Sequence, residues 1–231
     1  MGRSTRASGG AIVALLALIG FATAAAAASL PANSLAGYSV QAAATDQATV
    51  SFVVPKVTCS GTSPSMKIGS AVWDGTSSVE AFVWAVCDNF PSPPLYWADG
   101  YWYDSALGTG DTSQFFPVAP GQRIVTTVTA EGASSQATVR DVTSGLEHSY
   151  VFGGVGAGTS IIGFFPTGDW NAAPAGSPAQ FTRVRFSNAR VDGKALGRLD
   201  PLVESLAGSG YEVTPSPLGS GGTSFTDVYS T

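Results

Sequence analysis

The chain is short of the residues that most enzyme chemistries need. It has one histidine, His148, and two cysteines, Cys59 and Cys87, in 231 residues. So few imidazoles and thiols exclude the usual His/Cys zinc centres. A histidine-dependent nucleophilic site would rest on His148 alone. That residue lies in the strand-like run Glu147–Phe152 beside a turn, where a surface histidine is the plainer reading. Charge is scarce too: 12% of residues are Asp, Glu, Lys or Arg, with 11 basic against 16 acidic side chains. Nucleic acid takes clustered cations, so it is excluded as a partner. No G-x-S-x-G elbow occurs, and Gly153-Gly-Val-Gly156 lacks the lysine and helix of a phosphate loop. No metal and no cofactor are expected. What remains is carboxylate chemistry, with Asp74, Glu80, Asp99, Asp104 and Asp169 in or near aromatic segments. On a β-protein such groups are most often only solubilising.

What is present is glycine (28), proline (14) and 49 serines and threonines, a composition of turns and hydroxyls rather than long helices. Arg3 and Arg6, the apolar run Ala11–Phe21 and the small residues Ala22–Ala28 read as a secretory signal peptide over 1–28, cleaved between about Ala24 and Ser29. The alternative is an N-terminal membrane anchor. No later apolar run approaches the ~18 residues that cross a bilayer, so the expectation is a secreted, extracellular protein without membrane contact after cleavage. Export favours one disulfide, Cys59–Cys87, over two free thiols.

Short runs rich in Val, Thr and aromatics recur between Gly, Pro, Asn and Ser punctuation. They predict strands over 37–42, 49–54, 68–73, 79–86, 96–104, 123–130, 136–142, 147–152, 160–165 and 182–191. Ala130–Ser135 and Thr143–Gly145 read as hairpin turns, and Leu199–Leu206 as one short helix with Pro201 in its first turn. The fold class is all-β, an antiparallel sandwich of two large sheets, in a single domain over 29–231.

Seven segments, in this order, carry a resemblance to a known family: Leu35-Ala-Gly-Tyr38, Val50–Pro55, Ser70-Ala-Val-Trp-Asp-Gly75, Tyr96–Tyr103, Pro120–Ile124, Ala137–Gly145 and Thr214–Phe225. The chain resembles the secreted glutamic peptidases, the eqolisins, above all their bacterial relatives with one disulfide. The resemblance implies two seven-stranded sheets with a substrate cleft over one of them. It also implies a glutamine and a glutamate on cleft strands, and these positions fall on Ala81 and Gly163. No glutamine occurs between Lys56 and Ser113, and no glutamate between His148 and Leu202, so a slip of register restores neither. Glu80, one step from Ala81, is expected on the opposite face. Other family positions depart as well, at Leu35, Ser70 and Tyr101, whereas Asp74, Gly75, Trp102 and Tyr103 match.

The expected protein is therefore a homologue without its catalytic pair. A small notch would lie at Ala81 and Gly163, beside Val79, Val83, Ile161 and Phe165. Phe90, Tyr96, Trp97, Tyr101, Trp102 and Tyr103, with Asp74 and Asp99, would line an aromatic cleft behind a stiff loop at Pro91, Pro93 and Pro94. Such a cleft suits a peptide or a polysaccharide, although half of these rings could alternate into the core and Phe82 or Trp84 could fill the notch. The alternatives are an acid endopeptidase using Asp74, Asp99 or Asp169, and a structural extracellular protein. A monomer is expected.

Overall fold

The computed structural model describes residues 35–59, 66–87, 92–166, 179–208 and 210–231. The segment read as a signal peptide, Phe90, Pro91 and Asp169 lie outside the described residues. The strands are β1 Ala36–Thr45, β2 Gln47–Val53, β3 Met66–Trp73, β4 Ser77–Val86, β5 Leu95–Asp104, β6 Thr109–Pro117, β7 Arg123–Ala130 and β8 Ser135–Asp141. They continue as β9 Glu147–Phe152, β10 Gly158–Pro166, β11 Arg183–Val191, β12 Lys194–Ala195, β13 Leu202–Glu204, β14 Leu206–Gly208, β15 Tyr211–Pro215 and β16 Phe225–Ser230.

They form two antiparallel sheets. Sheet I has seven strands in the order β13-β1-β10-β3-β4-β5-β6. Sheet II has nine, in the order β14-β15-β16-β11-β2-β7-β8-β9 with β12 added on β11. The family resemblance implied seven in each, and sheet II exceeds that count. In β7 the alternation is clean: Ile124, Thr126, Val128 and Ala130 are buried while the residues between them are not. Inward residues of both sheets make the core, where Phe186 stacks on Phe225 at 4.6 Å between centroids.

β3 departs from alternation and is buried at every residue. The reason is a second apolar cluster on the outer face of sheet I, made of Leu35, Ala71, Trp73, Phe82, Ile161 and Phe165, with Trp84 and Tyr101 packed against it. A sheet apolar on both faces reads as a continuous hydrophobic run.

The helix expected over 199–206 does not form. Asp200 takes φ +46 immediately before Pro201, which ends any helical path. The chain then continues as β13, pairing Gly37 with Glu204, and as β14. The helical turn of this region lies earlier, a 3₁₀ turn at Leu196–Arg198.

Cys59 and Cys87 are joined, with Cα atoms 5.5 Å apart and a sequence separation of 28. The bond ties the segment after β2 to the end of β4 and fits an oxidising setting. In the chain-entropy account a loop of this length is worth about 3–4 kcal/mol. Reduction is accordingly expected to lower stability by that amount, measured by urea unfolding with and without dithiothreitol. An unchanged midpoint would refute it. Among the described residues no helix is long and apolar enough to cross a membrane.

Candidate functional site

Strand alternation divides the sequence-predicted site between two faces of sheet I. In β4, Val79, Ala81, Val83 and Ala85 join the core between the sheets, and Glu80, Phe82 and Trp84 point the other way. Ser70, paired with Ala81 across β3, confirms the direction, because its hydroxyl donates to Thr126 Oγ1 of sheet II at 3.0 Å. The expectation for β4 is therefore corrected: Ala81 faces the core, and Glu80 faces the outer surface. Val79, Ala81, Val83 and Ala85 are the small and branched residues that fit between two sheets.

Gly163 lies on the register line Gly37↔Gly163↔Gly69↔Phe82↔Asp99, in a row with two other glycines. Its φ is +155, and an added Cβ would lie 2.1 Å from the carbonyl oxygen of Ala36. Gly37 and Gly69 are held in the same way, with Cβ positions 2.3 and 2.1 Å from the carbonyl oxygens of Ile162 and Ala81. The strands approach too closely here for any side chain. The expected notch is thus not built: Ala81 and Gly163 serve different faces, and Val79 and Val83 belong to the core.

The rings of β5 divide too. Tyr96 points inward, and its hydroxyl accepts the Val57 backbone N–H at 2.9 Å. Trp102 packs against the core, and its indole N–H reaches the Gly154 carbonyl at 3.4 Å. Both expectations of a cleft position are corrected by the pleat. Trp97, paired with Trp84, lies on the outer side with Asp99, Tyr101 and Tyr103. Tyr101 and Tyr103 stack at 6.3 Å, and Phe165 meets Phe82 edge-on at 6.3 Å in the outer cluster. Trp84, Trp97, Tyr101 and Tyr103 are half-buried, so this strip keeps ring area at the surface.

Asp74 belongs to neither face. Oδ1 accepts from the Thr76 and Ser77 backbone N–H groups and the Thr76 hydroxyl, and Oδ2 accepts from the Gly156 backbone N–H at 2.8 Å. Burial alone would raise its pKa, but these donors hold it below the ordinary value. Asp74 clasps the β3–β4 turn to the loop before β10, which corrects its placement in the cleft. Asp104 does similar work, accepting from the backbone of Ala106 and Leu107. His148 is exposed on β9, its ring 4.5 Å from that of Phe115.

Three ionisable groups do come together under the aromatic strip. Lys67 Nζ lies 2.6 Å from Glu80 Oε2, with both side chains buried. The same ammonium sits 4.6 Å from the Phe82 ring centroid and 4.5 Å from that of Tyr101, an aromatic clamp that offsets part of its lost hydration. Asp99, 1% exposed, has one carboxyl oxygen without a hydrogen-bond partner. Burial pushes its pKa up to about 7, against the pull of the Gly100 backbone N–H and Lys67, while Glu80 pushes it further up. Asp99 was expected in the site, but Lys67 and the orientation of Glu80 were not. The signal was available: Glu80, Phe82 and Trp84 share a period of two, as do Lys67, Ala71 and Trp73. Among the described residues no three of His, Cys, Asp or Glu gather closely enough to hold a metal ion.

The fold is that of known peptidases. A structure of scytalido-glutamic peptidase with a peptide-based transition-state analogue superposes with a TM-score of 0.65 at 19% identity, covering 87% of this chain and all of that one. SCP-B, a member of the eqolisin family in complex with the tripeptide Ala-Ile-His, gives 0.55 at 18%, with the same 87% and 100% coverage. No protein-family profile and no curated protein matches the sequence.

Proposed function

We propose that this is a secreted, monomeric, non-catalytic relative of the glutamic peptidases that binds an extended peptide or polysaccharide along the strip of Trp84, Trp97, Tyr101 and Tyr103. One observation carries the reading. The carboxylate that β4 turns to the outer face, Glu80, is buried and occupied by Lys67, and the outward residues of β10 are Thr159, Ile161, Gly163 and Phe165, none of them a carboxylate. A general base has to reach water and take its proton, a contribution of about 10²–10⁴-fold where it operates. A carboxylate neutralised under two rings does not meet that need. The half-buried rings offer stacking area to a sugar face or an apolar side chain, and the tripeptide held by SCP-B supports the peptide option.

A second reading, acid endopeptidase, is favoured by Asp99, which keeps its proton up to about pH 7 beside another carboxyl. The expected result is no cleavage of an unfolded protein substrate between about pH 2 and 7, together with a tryptophan fluorescence change on adding oligopeptides or soluble polysaccharides. Acid-optimum cleavage that disappears in Asp99→Asn would replace the binding reading with the second one. Glycine at 163 cannot be tested by restoring a glutamate, because the Ala36 carbonyl occupies its Cβ position.

A further inference from the structure

We propose that Lys67 and Glu80 become joined by an amide bond between Nζ and Cδ, with Asp99 carrying the protons. The argument starts from where the three groups sit. Lys67 is on β3, Glu80 on β4 and Asp99 on β5. Lys67 stands opposite Trp84, so its side chain runs diagonally over Phe82 to reach Glu80. Nitrogen and carboxyl oxygen meet at 2.6 Å, with Glu80 and Asp99 each 1% exposed. An amine and a carboxyl group in water do not condense, because both are charged and water competes for the acyl carbon. Here the rings of Phe82 and Tyr101 flank the nitrogen and keep solvent off the pair.

The setting favours a neutral product. Two buried charges carry a desolvation penalty that their attraction only partly offsets. Passing the ammonium proton to the Glu80 carboxylate leaves a free amine and a carboxylic acid held in contact. Holding the reacting groups in place removes the entropic part of the barrier, which in well-oriented intramolecular reactions corresponds to effective molarities of roughly 10⁵–10⁸ M.

The atoms balance without any further reagent. The Lys67 amine attacks Cδ of Glu80 as Asp99 donates its proton to the carbonyl oxygen. The Asp99 carboxylate then takes a proton from the nitrogen, passes it to the departing hydroxyl, and recovers its first proton from the oxygen as the carbonyl re-forms. An N–C bond forms, a C–O bond breaks, one water leaves, and Asp99 ends as it began. Asp99 stands opposite Phe82, two residues along the same face from the partner of Glu80, its Oδ1 has no partner, and burial keeps the acid protonated up to about pH 7. The linkage would lie inside the loop that Cys59 and Cys87 already close, and it would consume the one carboxylate that β4 presents to the outer face.

The test is an intact mass of the purified, denatured and reduced protein, followed by fragment mapping after proteolysis. The expected mass is one water below that of the sequence from the observed N-terminus, with a branched fragment joining the peptides that contain Lys67 and Glu80. In Asp99→Asn the linear mass should return, with thermal unfolding recorded to show that the variant is folded. Should Asp99→Asn fail to fold, the mass and fragments of the natural protein decide alone. A full linear mass with a free Lys67 amine overturns the proposal, as does a water lost at any other pair, including Lys67 with Asp99.

Discussion

Measured against the natural chain with Lys67 and Glu80 unlinked, replacing Glu80 by alanine is expected to destabilise the protein by about 3–5 kcal/mol, because it leaves the Lys67 ammonium buried without its carboxylate. Neither the Phe82 nor the Tyr101 ring can replace a charge-assisted bond of 2.6 Å. Substituting both partners by apolar residues of similar volume, Lys67→Met with Glu80→Leu, should recover most of the loss, since the desolvation penalty goes with the charges. Urea unfolding of the single and double variants measures both quantities. The ion pair Arg140–Glu147 is the internal control: its groups are 3.8 Å apart and more than half exposed, at 57% and 55%. Breaking it should change stability by less than about 1 kcal/mol. Equal effects at the two pairs would mean that the Lys67–Glu80 site is wet.

Stability should fall as the pH rises from about 4 to 7, the reverse of the usual acid denaturation. Burial moves the Asp99 pKa from its ordinary 3.8 to about 7, so the folded state holds a proton that the unfolded chain releases. A raised carboxyl pKa contributes stability that is complete below 3.8 and is lost progressively up to about 7, on the order of 4 kcal/mol in total. Asp227 acts in the same direction. It is fully buried, and its pKa is raised well above the ordinary value, first by burial and against the pull of the Phe164 backbone N–H. Asp74 works the other way, its depressed pKa removing stability only as the pH drops below 3.8. Melting temperatures measured from about pH 3 to 8 should therefore peak near pH 4 to 5. In Asp99→Asn the fall toward pH 7 should shrink by the Asp99 share. A melting temperature that climbs from pH 4 to 7 would contradict the account.

Every run read as a strand from alternation forms one, and the turns at Ala130–Ser135 and Thr143–Gly145 connect β7 to β8 and β8 to β9. The strands that escaped reading are β6 and β12 to β16, and β15 escaped although Tyr211, Val213 and Pro215 are buried with exposed residues between them. β6 is an exposed edge strand, with polar residues on both sides of its pleat. β12, β13 and β14 are too short to show a period. The site was harder to read than the fold because its position hangs on parity, and a slip of one residue exchanges the two faces. Anchoring β4 on an absent glutamine put Ala81 outside, whereas the shared face of Glu80, Phe82 and Trp84 gives the observed orientation. The aromatic run from Tyr96 to Tyr103 looked like one wall; the pleat makes it two, with Tyr96 and Trp102 serving the core.

The order of the sheets also bears on how the chain is made. The earliest described strands, β1 and β2, lie inside their sheets rather than at the edges. The neighbours of β1 are β10 and β13, with Ala36 opposite Phe164; those of β2 are β7 and β11, with Phe52 opposite Ile124 and Phe186. During synthesis β2 waits for β7, near mid-chain, whereas β1 lacks a partner until β10 has emerged. Meanwhile β3 to β6 and β7 to β9 can already close as local hairpins. Non-local pairing of this kind slows folding and leaves sticky strand edges open to other chains. Late insertion of β1, after β10 has formed, is the route this topology favours. A nascent chain of this kind gains from any factor that shields its N-terminal third until β10 and β11 arrive.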